Sequence, residues 1–218
     1  MLSTSPAADV RDLWCSTLQR LLLQGLEETL YMTVFSTVLA YVFGLPLGVL
    51  VYVTKDGGIH PNRPLNRVLS WFINLIRSVP FLIYGLIFIR VAGPGPFTGV
   101  LTLGVCSVGL LSKRFTEAIE SLDFRAYHAL ESMGVPLPLR IRYAVLPQLL
   151  PALASAVLYR FDVNIREASV LGLVGAGGIG APLIFAMNHY KWSEAGAIAL
   201  GLILLVWCID RLSASLRR

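Results

Sequence analysis

Long apolar stretches, broken by short polar or glycine- and proline-rich segments, organise this 218-residue chain. Five of them approach the ~20 apolar residues that a bilayer-spanning helix needs. They run from about Tyr31 to Val53, Trp71 to Val91, Phe97 to Leu111, Gln148 to Ile165 and Ala195 to Ile209. Gly44 and Pro46 interrupt the first, Arg77 and Pro80 fall within the second, and Gly93-Pro94-Gly95-Pro96 forms a turn before the third. Backbone groups left unpaired in hydrocarbon are costly, and the alternation of a lipid-facing barrel strand is missing, so the stretches are expected to be helices. The expected fold is therefore all-α and integral to a membrane, a single domain over residues 1–218 with about five transmembrane helices. Ahead of the first span, Leu13, Trp14, Leu18, Leu21, Leu22 and Gly25 recur at roughly helical spacing. Two readings stay open for this piece: an interfacial segment within residues 1–28, or an extension of the first span.

Composition sharpens the membrane assignment. The chain is 56% hydrophobic and 14% charged, against roughly 25% charged in ordinary globular domains. Met1 to Arg20 contains Asp9, Arg11, Asp12 and Arg20, too polar for the apolar core of a signal peptide, so none is expected. Cys15, Cys106 and Cys208 stand singly, without the spacing of a disulfide framework or zinc site. With five spans the termini lie on opposite sides, and the cation distribution chooses between the two orientations. If the N-terminus is outside, eleven cations face the cytoplasm: Lys55, Arg63 and Arg67; Lys113, Arg114, Arg125, Arg140 and Arg142; Arg211, Arg217 and Arg218. Five, Arg11, Arg20, Arg90, Arg166 and Lys191, then lie outside. The reading is N-out, C-in, and the net charge of +5 reflects topology rather than a nucleic-acid partner.

Within this apolar chain, residues 112–147 form a polar segment on the cation-rich side. Its informative part is Tyr127-His128-Ala129-Leu130-Glu131-Ser132-Met133-Gly134, followed by Val145-Leu146-Pro147-Gln148. A short helix, a glycine turn and a proline-stiffened exit, with small residues that permit close approach, suit a projection that docks on another protein. A second segment, residues 170–182, contains Gly175, Gly177, Gly178 and Gly180. The letters satisfy a dinucleotide fingerprint, but the strand and parallel sheet that fingerprint requires are unavailable between two spans. Irregular glycine backbone at membrane depth instead suits a segment lining a pathway or forming an outer gate.

Charge inside the bilayer is the third feature. Arg77 precedes Ser78-Val79-Pro80, and the fourth span ends in Tyr159-Arg160-Phe161-Asp162-Val163-Asn164-Ile165-Arg166-Glu167. Ionisable groups cost at least ~2.5 kcal/mol near the bilayer centre, so they should face protein or water. Asp162 and Arg166 are i,i+4 neighbours and are expected to pair. Arg77, Pro80, Arg160, Asp162 and Arg166 join the glycines as pathway or gate candidates, with a purely structural pairing left open.

The polar segment resembles the coupling loop of ABC-transporter permeases: Glu-Ala-Ala, three residues, Gly, nine residues, Ile, one residue, Leu-Pro. His128-Ala129-Leu130 stand at the Glu-Ala-Ala positions, Gly134 is the glycine, Leu146-Pro147 close the pattern, and Ala144 sits where isoleucine is usual. Residues 77–218 resemble phosphonate and phosphate-ester importer permeases, in Ile119-Glu-Ser-Leu, Ile141-Arg-Tyr-Ala-Val-Leu-Pro-Gln, the Tyr159 segment and Val170 to Gly180. Residues 28–81 look like the methionine-importer permease, in Glu28-Thr-Leu-Tyr-Met-Thr and Tyr41-Val-Phe-Gly-Leu-Pro-Leu-Gly. Both resemblances imply a type I importer in the bacterial inner membrane: two permease copies, separate ATPase subunits that use ATP and magnesium, and an outer substrate-binding protein. The coupling residues they imply are His128, Ala129, Leu130, Glu131, Gly134, Leu146 and Pro147. The chain carries no Walker A pattern, and His60, His128 and His189 lack metal-ligand spacing, so neither ATP chemistry nor a metal is expected on it. A membrane scaffold or membrane enzyme is the alternative class. Phosphonate-type cargo is favoured over methionine, because an anion needs the positive potential that Arg77, Arg160 and Arg166 could supply.

Overall fold

A computed structural model describes residues 6–55 and 61–216, with side chains described over 23–55, 61–209 and at 211. The elements are α1 (Pro6–Thr54), α2 (Arg63–Ser78), α3 (Phe81–Ala92), α4 (Pro96–Glu120), α5 (Arg125–Ser132), α6 (Leu137–Arg140), a π-turn over Ile141–Val145, α7 (Leu146–Gly172), α8 (Gly180–Asn188) and α9 (Trp192–Leu216). Among the described residues, four stretches are long and apolar enough to cross a membrane: Leu23–Thr54, Pro96–Glu120, Leu137–Gly172 and Trp192–Ile209. The pair α2 and α3 makes a fifth if counted as one broken span.

The core is a seam of small residues rather than a body of large ones. On α1 the buried positions include Gly25, Thr29, Thr33, Ser36, Thr37, Ala40, Gly44 and Gly48, with Met32 and Val51 the large ones among them, while Tyr31, Phe35, Val38, Val42 and Phe43 are exposed. Lipid tails are as apolar as leucine, so helices gain little by hiding large apolar residues; they gain by close backbone approach and interhelical hydrogen bonds. The seam faces α4, where Thr98, Gly99, Thr102, Ser107, Ser112 and Thr116 are buried alongside Leu103, Leu111, Phe115 and Ile119. Thr116 Oγ1 donates to Gly48 O at 3.0 Å, a bond only such an approach allows. Bulk enters at either side of the seam, as Met32, Leu103 and Leu171 in one cluster and Ala40, Leu111, Phe115 and Leu153 in another.

Four expected boundaries move. The Trp71–Val91 stretch is two helices meeting at 86°. The break follows from Pro80, which disfavours helical geometry at Val79; Val79 is extended, at φ −92° and ψ 124°. The third span runs on to Glu120 rather than ending at Leu111, so the first nine residues of the 112–147 segment are helix α4. The fourth is joined through the π-turn to α6 and ends at Gly172, past Ile165. Residues 180–182 begin a short helix, α8, rather than closing a loop. Helix α1 continues from Pro6 through Leu26 without a break, and side chains up to residue 22 lie outside those described.

Candidate functional site

Helix α5 stands clear of the bundle. Its residues Arg125–Ser132 include none that is buried, and among the described residues it packs only on α6 and the π-turn. It ends in a Schellman motif: Val135 N–H donates to Leu130 O at 3.1 Å and Gly134 N–H to Glu131 O at 3.0 Å. The motif requires a left-handed residue, and Gly134 takes φ +74° with nothing within 4 Å of where a Cβ would sit. The chain then reverses into α6, and Arg140 of α6 reaches back to close the unit. Its guanidinium donates to Glu131 Oε1 and lies over the Tyr127 ring, 5.1 Å from the centroid. His128 Nδ1 is 3.2 Å from Glu131 Oε2. The hydrogen bond from Arg140, followed by that from His128, holds the Glu131 carboxyl below its ordinary value.

Beyond the π-turn, Gln148 ties the exit of the projection to its entry. Its Nε2 donates to Asp123 O at 3.2 Å and Ala144 O at 2.8 Å, and its Oε1 accepts from Asp123 N–H at 3.1 Å. Ala144 is buried there, while Leu146 and Pro147 are exposed at the start of α7. The projection is thus a rigid knuckle with an apolar tip: Met133 is 76% exposed and Leu137 50%. His128, Ala129, Glu131 and Gly134 are exposed on it, and Leu130 is half-buried.

Deeper in the bundle, the charges on α7 are neutralised. Asp162 accepts from Arg166 Nη2 at 2.6 Å, the expected i,i+4 pair. Arg160 instead pairs with Glu167, two turns along the same face, at 2.6 and 3.4 Å. Arg160 Nε donates to Ser107 Oγ at 2.8 Å, Ser107 Oγ to Asn164 Oδ1 at 2.9 Å, and Asn164 Nδ2 to Thr37 Oγ1 at 3.0 Å. This buried chain links α7, α4 and α1. Glu167, Asn164 and Ser107 were not among the sequence-level candidates; the stripe 160, 164, 167 on one helical face is the signal that could have found them.

Arg77 lies elsewhere. It closes α2 beside the break at Pro80, exposed, with its Cγ 3.3 Å from where a Cβ on Gly109 would sit. Arg160 touches α4 at Ser107, two positions away and so on the other side of that helix. Within one chain the two arginines are not brought together.

The glycine segment is packed inside the chain. Gly175, Gly177 and Gly178 all have positive φ, and Gly175 O accepts from Gly95 N–H at 3.1 Å. Gly178 N–H donates to Glu28 at 2.9 Å, and Ile179 N–H to Thr29 Oγ1 at 3.0 Å. A Cβ on Gly172 would lie 2.5 Å from Gly177 O and 2.7 Å from Gly180 Cα, so α7 and α8 cross at backbone contact. These glycines serve a tight crossing sealed against α1 and the turn before α4.

Known proteins are similar to this chain in sequence and architecture. Residues 44–218 match the family described as binding-protein-dependent transport system inner membrane component. The phosphite transport system permease PtxC of Stutzerimonas stutzeri is 37% identical over 196 residues, 90% of this chain and 70% of that protein. The D-methionine transport system permease MetI of Escherichia coli K12 is 32% identical over 166 residues, 73% of this chain and 72% of that protein. The phosphite-type similarity therefore reaches well ahead of Arg77, into the part whose resemblance was to the methionine permease. Among solved structures, an inward-facing MetNI methionine ABC transporter aligns with a TM-score of 0.80 and 28% identity, over 93% of this chain and 97% of that one. Spans, projection and matches together place this chain in the binding-protein-dependent transport system inner membrane component family, as a permease subunit with the type I ABC importer fold.

Proposed function

We propose that two copies of this chain line the translocation path, that α5 and its Gly134 turn dock in a separate ATPase, and that an outer binding protein delivers cargo. The observation that carries this is the knuckle: a helix with no buried residue, stiffened by Glu131 and Arg140, ending in exposed Met133 and Leu137. In this reading His128, Ala129 and Gly134 present the contact surface, and Leu146 and Pro147 fix its junction with α7. Gly134→Ala and Gly134→Trp separate strain from contact, since both carry the φ +74° penalty and only Trp adds bulk to an open space. The Trp variant should insert but fail to co-purify with the ATPase, and the Ala variant should assemble more weakly than wild type. Normal assembly and transport by Gly134→Trp would sink the docking assignment.

The N-out, C-in orientation rests on the cation distribution. Ser121→Cys should be shielded from an impermeant thiol reagent in intact cells while Ser193→Cys reacts; the reverse pattern overturns it.

For cargo, the reading is a phosphorus oxyanion, supported by 37% identity to a phosphite permease. The ion pairs change the electrostatic support for it. Arg160 and Arg166 are each matched by a carboxylate, so they supply orientation rather than net positive potential. Arg77 has no ion pair among the described residues and is the better candidate for attracting an anion. Methionine is the second reading, favoured by the fold match to a methionine transporter. Uptake and ATP hydrolysis by the reconstituted complex with each candidate binding protein decide between them: stimulation by methionine and by no phosphorus oxyanion reverses the choice.

A further inference from the structure

Between the last turns of α4 and the first half of α7 lies a cleft of about 580 Å³, at the end of the bundle from which the knuckle projects. That volume falls in the usual range for small-molecule sites. Its polar lining is Arg114, Glu117, Ser121, Ser155 and Tyr159, and three alanines open the space between the helices. The guanidinium of Arg114 lies over the Tyr159 ring, 5.9 Å from its centroid, which orients it into the cleft. Glu117 is one helical turn further along the same face, about 5–6 Å away between Cβ atoms. An Arg and a Glu so spaced can join, yet neither makes an ion pair among the described residues, as Glu120 and Glu131 do elsewhere on the exposed surface.

We infer that this cleft binds a small zwitterion, with Arg114 and the hydroxyls of Ser155 and Tyr159 receiving an oxyanion and Glu117 receiving a primary ammonium. An aminoalkylphosphonate, an amino acid and an ethanolamine phospholipid headgroup share that chemistry. A cation one helical turn from an anion matches the short separation of charges in such a molecule, and each protein charge finds its counterpart without the two closing on each other. The inference rests on the importer reading only for the ligand's role as cargo at the end nearest the ATPase; occupancy of the cleft stands apart from it.

The test is calorimetric titration of the purified permease–ATPase complex, without binding protein, with 2-aminoethylphosphonate, methionine and methylphosphonate, the last having no ammonium. Arg114→Gln should weaken all three, and Glu117→Gln should weaken the two zwitterions alone, each by about tenfold or more, the loss of one charge-assisted contact. Ser155→Trp, which fills the cleft from the α7 side, should abolish binding of every probe, and it decides the matter if an α4 variant unfolds. Repeating the titration in nanodiscs with and without phosphatidylethanolamine separates the sources: competition by that lipid, with no heat from soluble ligands once it is present, supports the site and assigns it to the headgroup. Wild-type binding in all three variants, or an equal loss for methylphosphonate in Glu117→Gln, overturns the inference. Binding-protein-stimulated ATP hydrolysis, measured on the same preparations, reads the importer assignment separately: if it persists while no ligand enters the cleft, only the cleft fails.

Discussion

The knuckle and the interior of α7 are each held by an arginine and a glutamate, in opposite surroundings. Glu131 is exposed and meets Arg140 at the foot of a projection; Glu167 meets Arg160 where the arginine is buried and also hydrogen-bonded to Ser107. In water the first pair is screened by salt and competes with hydration, so its use is geometric: it sets the angle between α5 and α6. In the bundle the second pair is largely withdrawn from solvent, with Arg160 5% and Glu167 18% exposed, and removing Glu167 strands a buried charge. One device therefore positions a surface, and the other makes the helix packing intolerant of change.

Three experiments test that contrast. The largest effect is expected from Glu167→Ala, which leaves Arg160 buried without its counter-ion and should destabilise the detergent-solubilised protein by about 3–5 kcal/mol. Thermal unfolding monitored by size-exclusion recovery would read it, and replacing both Arg160 and Glu167 by methionine should restore most of the loss. If Glu167→Ala unfolds no sooner than Glu131→Ala, the contrast between the two pairs is wrong.

Gly172→Ala comes next, because its Cβ would press on backbone at Gly177 and Gly180, which cannot yield as a side chain can. Overpacking of this kind costs about 1–3 kcal/mol. Gly196 has nothing within 4 Å, so Gly196→Ala is the control and should be neutral or stabilising by the same assay. A harmless Gly172→Ala would show that the α7–α8 crossing can part without cost.

The smallest effect concerns pH at the knuckle. Glu131 has a carboxyl depressed below its ordinary 4.5, by Arg140 first and His128 second. A group whose folded value is lowered stabilises the folded state above the unfolded value and loses that contribution as pH falls through the folded one. The emission of an environment-sensitive fluorophore attached beforehand at Met133→Cys should thus be constant from neutral pH down to about 5, then change as the pH drops through and below the ordinary glutamate range. A transition centred near neutrality would mean that a group other than Glu131 governs the geometry.

Several of these features were legible before any coordinates. Helix is the only backbone that satisfies itself along a run of lipid-facing residues, so an apolar stretch announces a span, and the break at Val79–Pro80 was within reach of the same reasoning because proline restricts its predecessor. The helix, glycine and reversal around Gly134 could be read because a Schellman end depends on a few consecutive residues. Asp162 and Arg166 could be paired because i,i+4 contacts are fixed by one helix.

What a single helix cannot specify was left to the tertiary structure. Ser107, Asn164, Ser36 and Thr37 sit on three helices, and nothing in their local sequence joins them; only the close approach of α1, α4 and α7 does. The same holds for the Gly172 crossing, for Gly178 against Glu28, and for the cleft between Arg114 and Tyr159. Sequence determined which segments would be helical, which would enter the membrane and where the chain would turn outside it, because these follow from local backbone chemistry and transfer from water. Which polar groups would satisfy one another was decided by packing, because inside the bilayer a donor's partner is whatever neighbouring helix the small residues allow to come near.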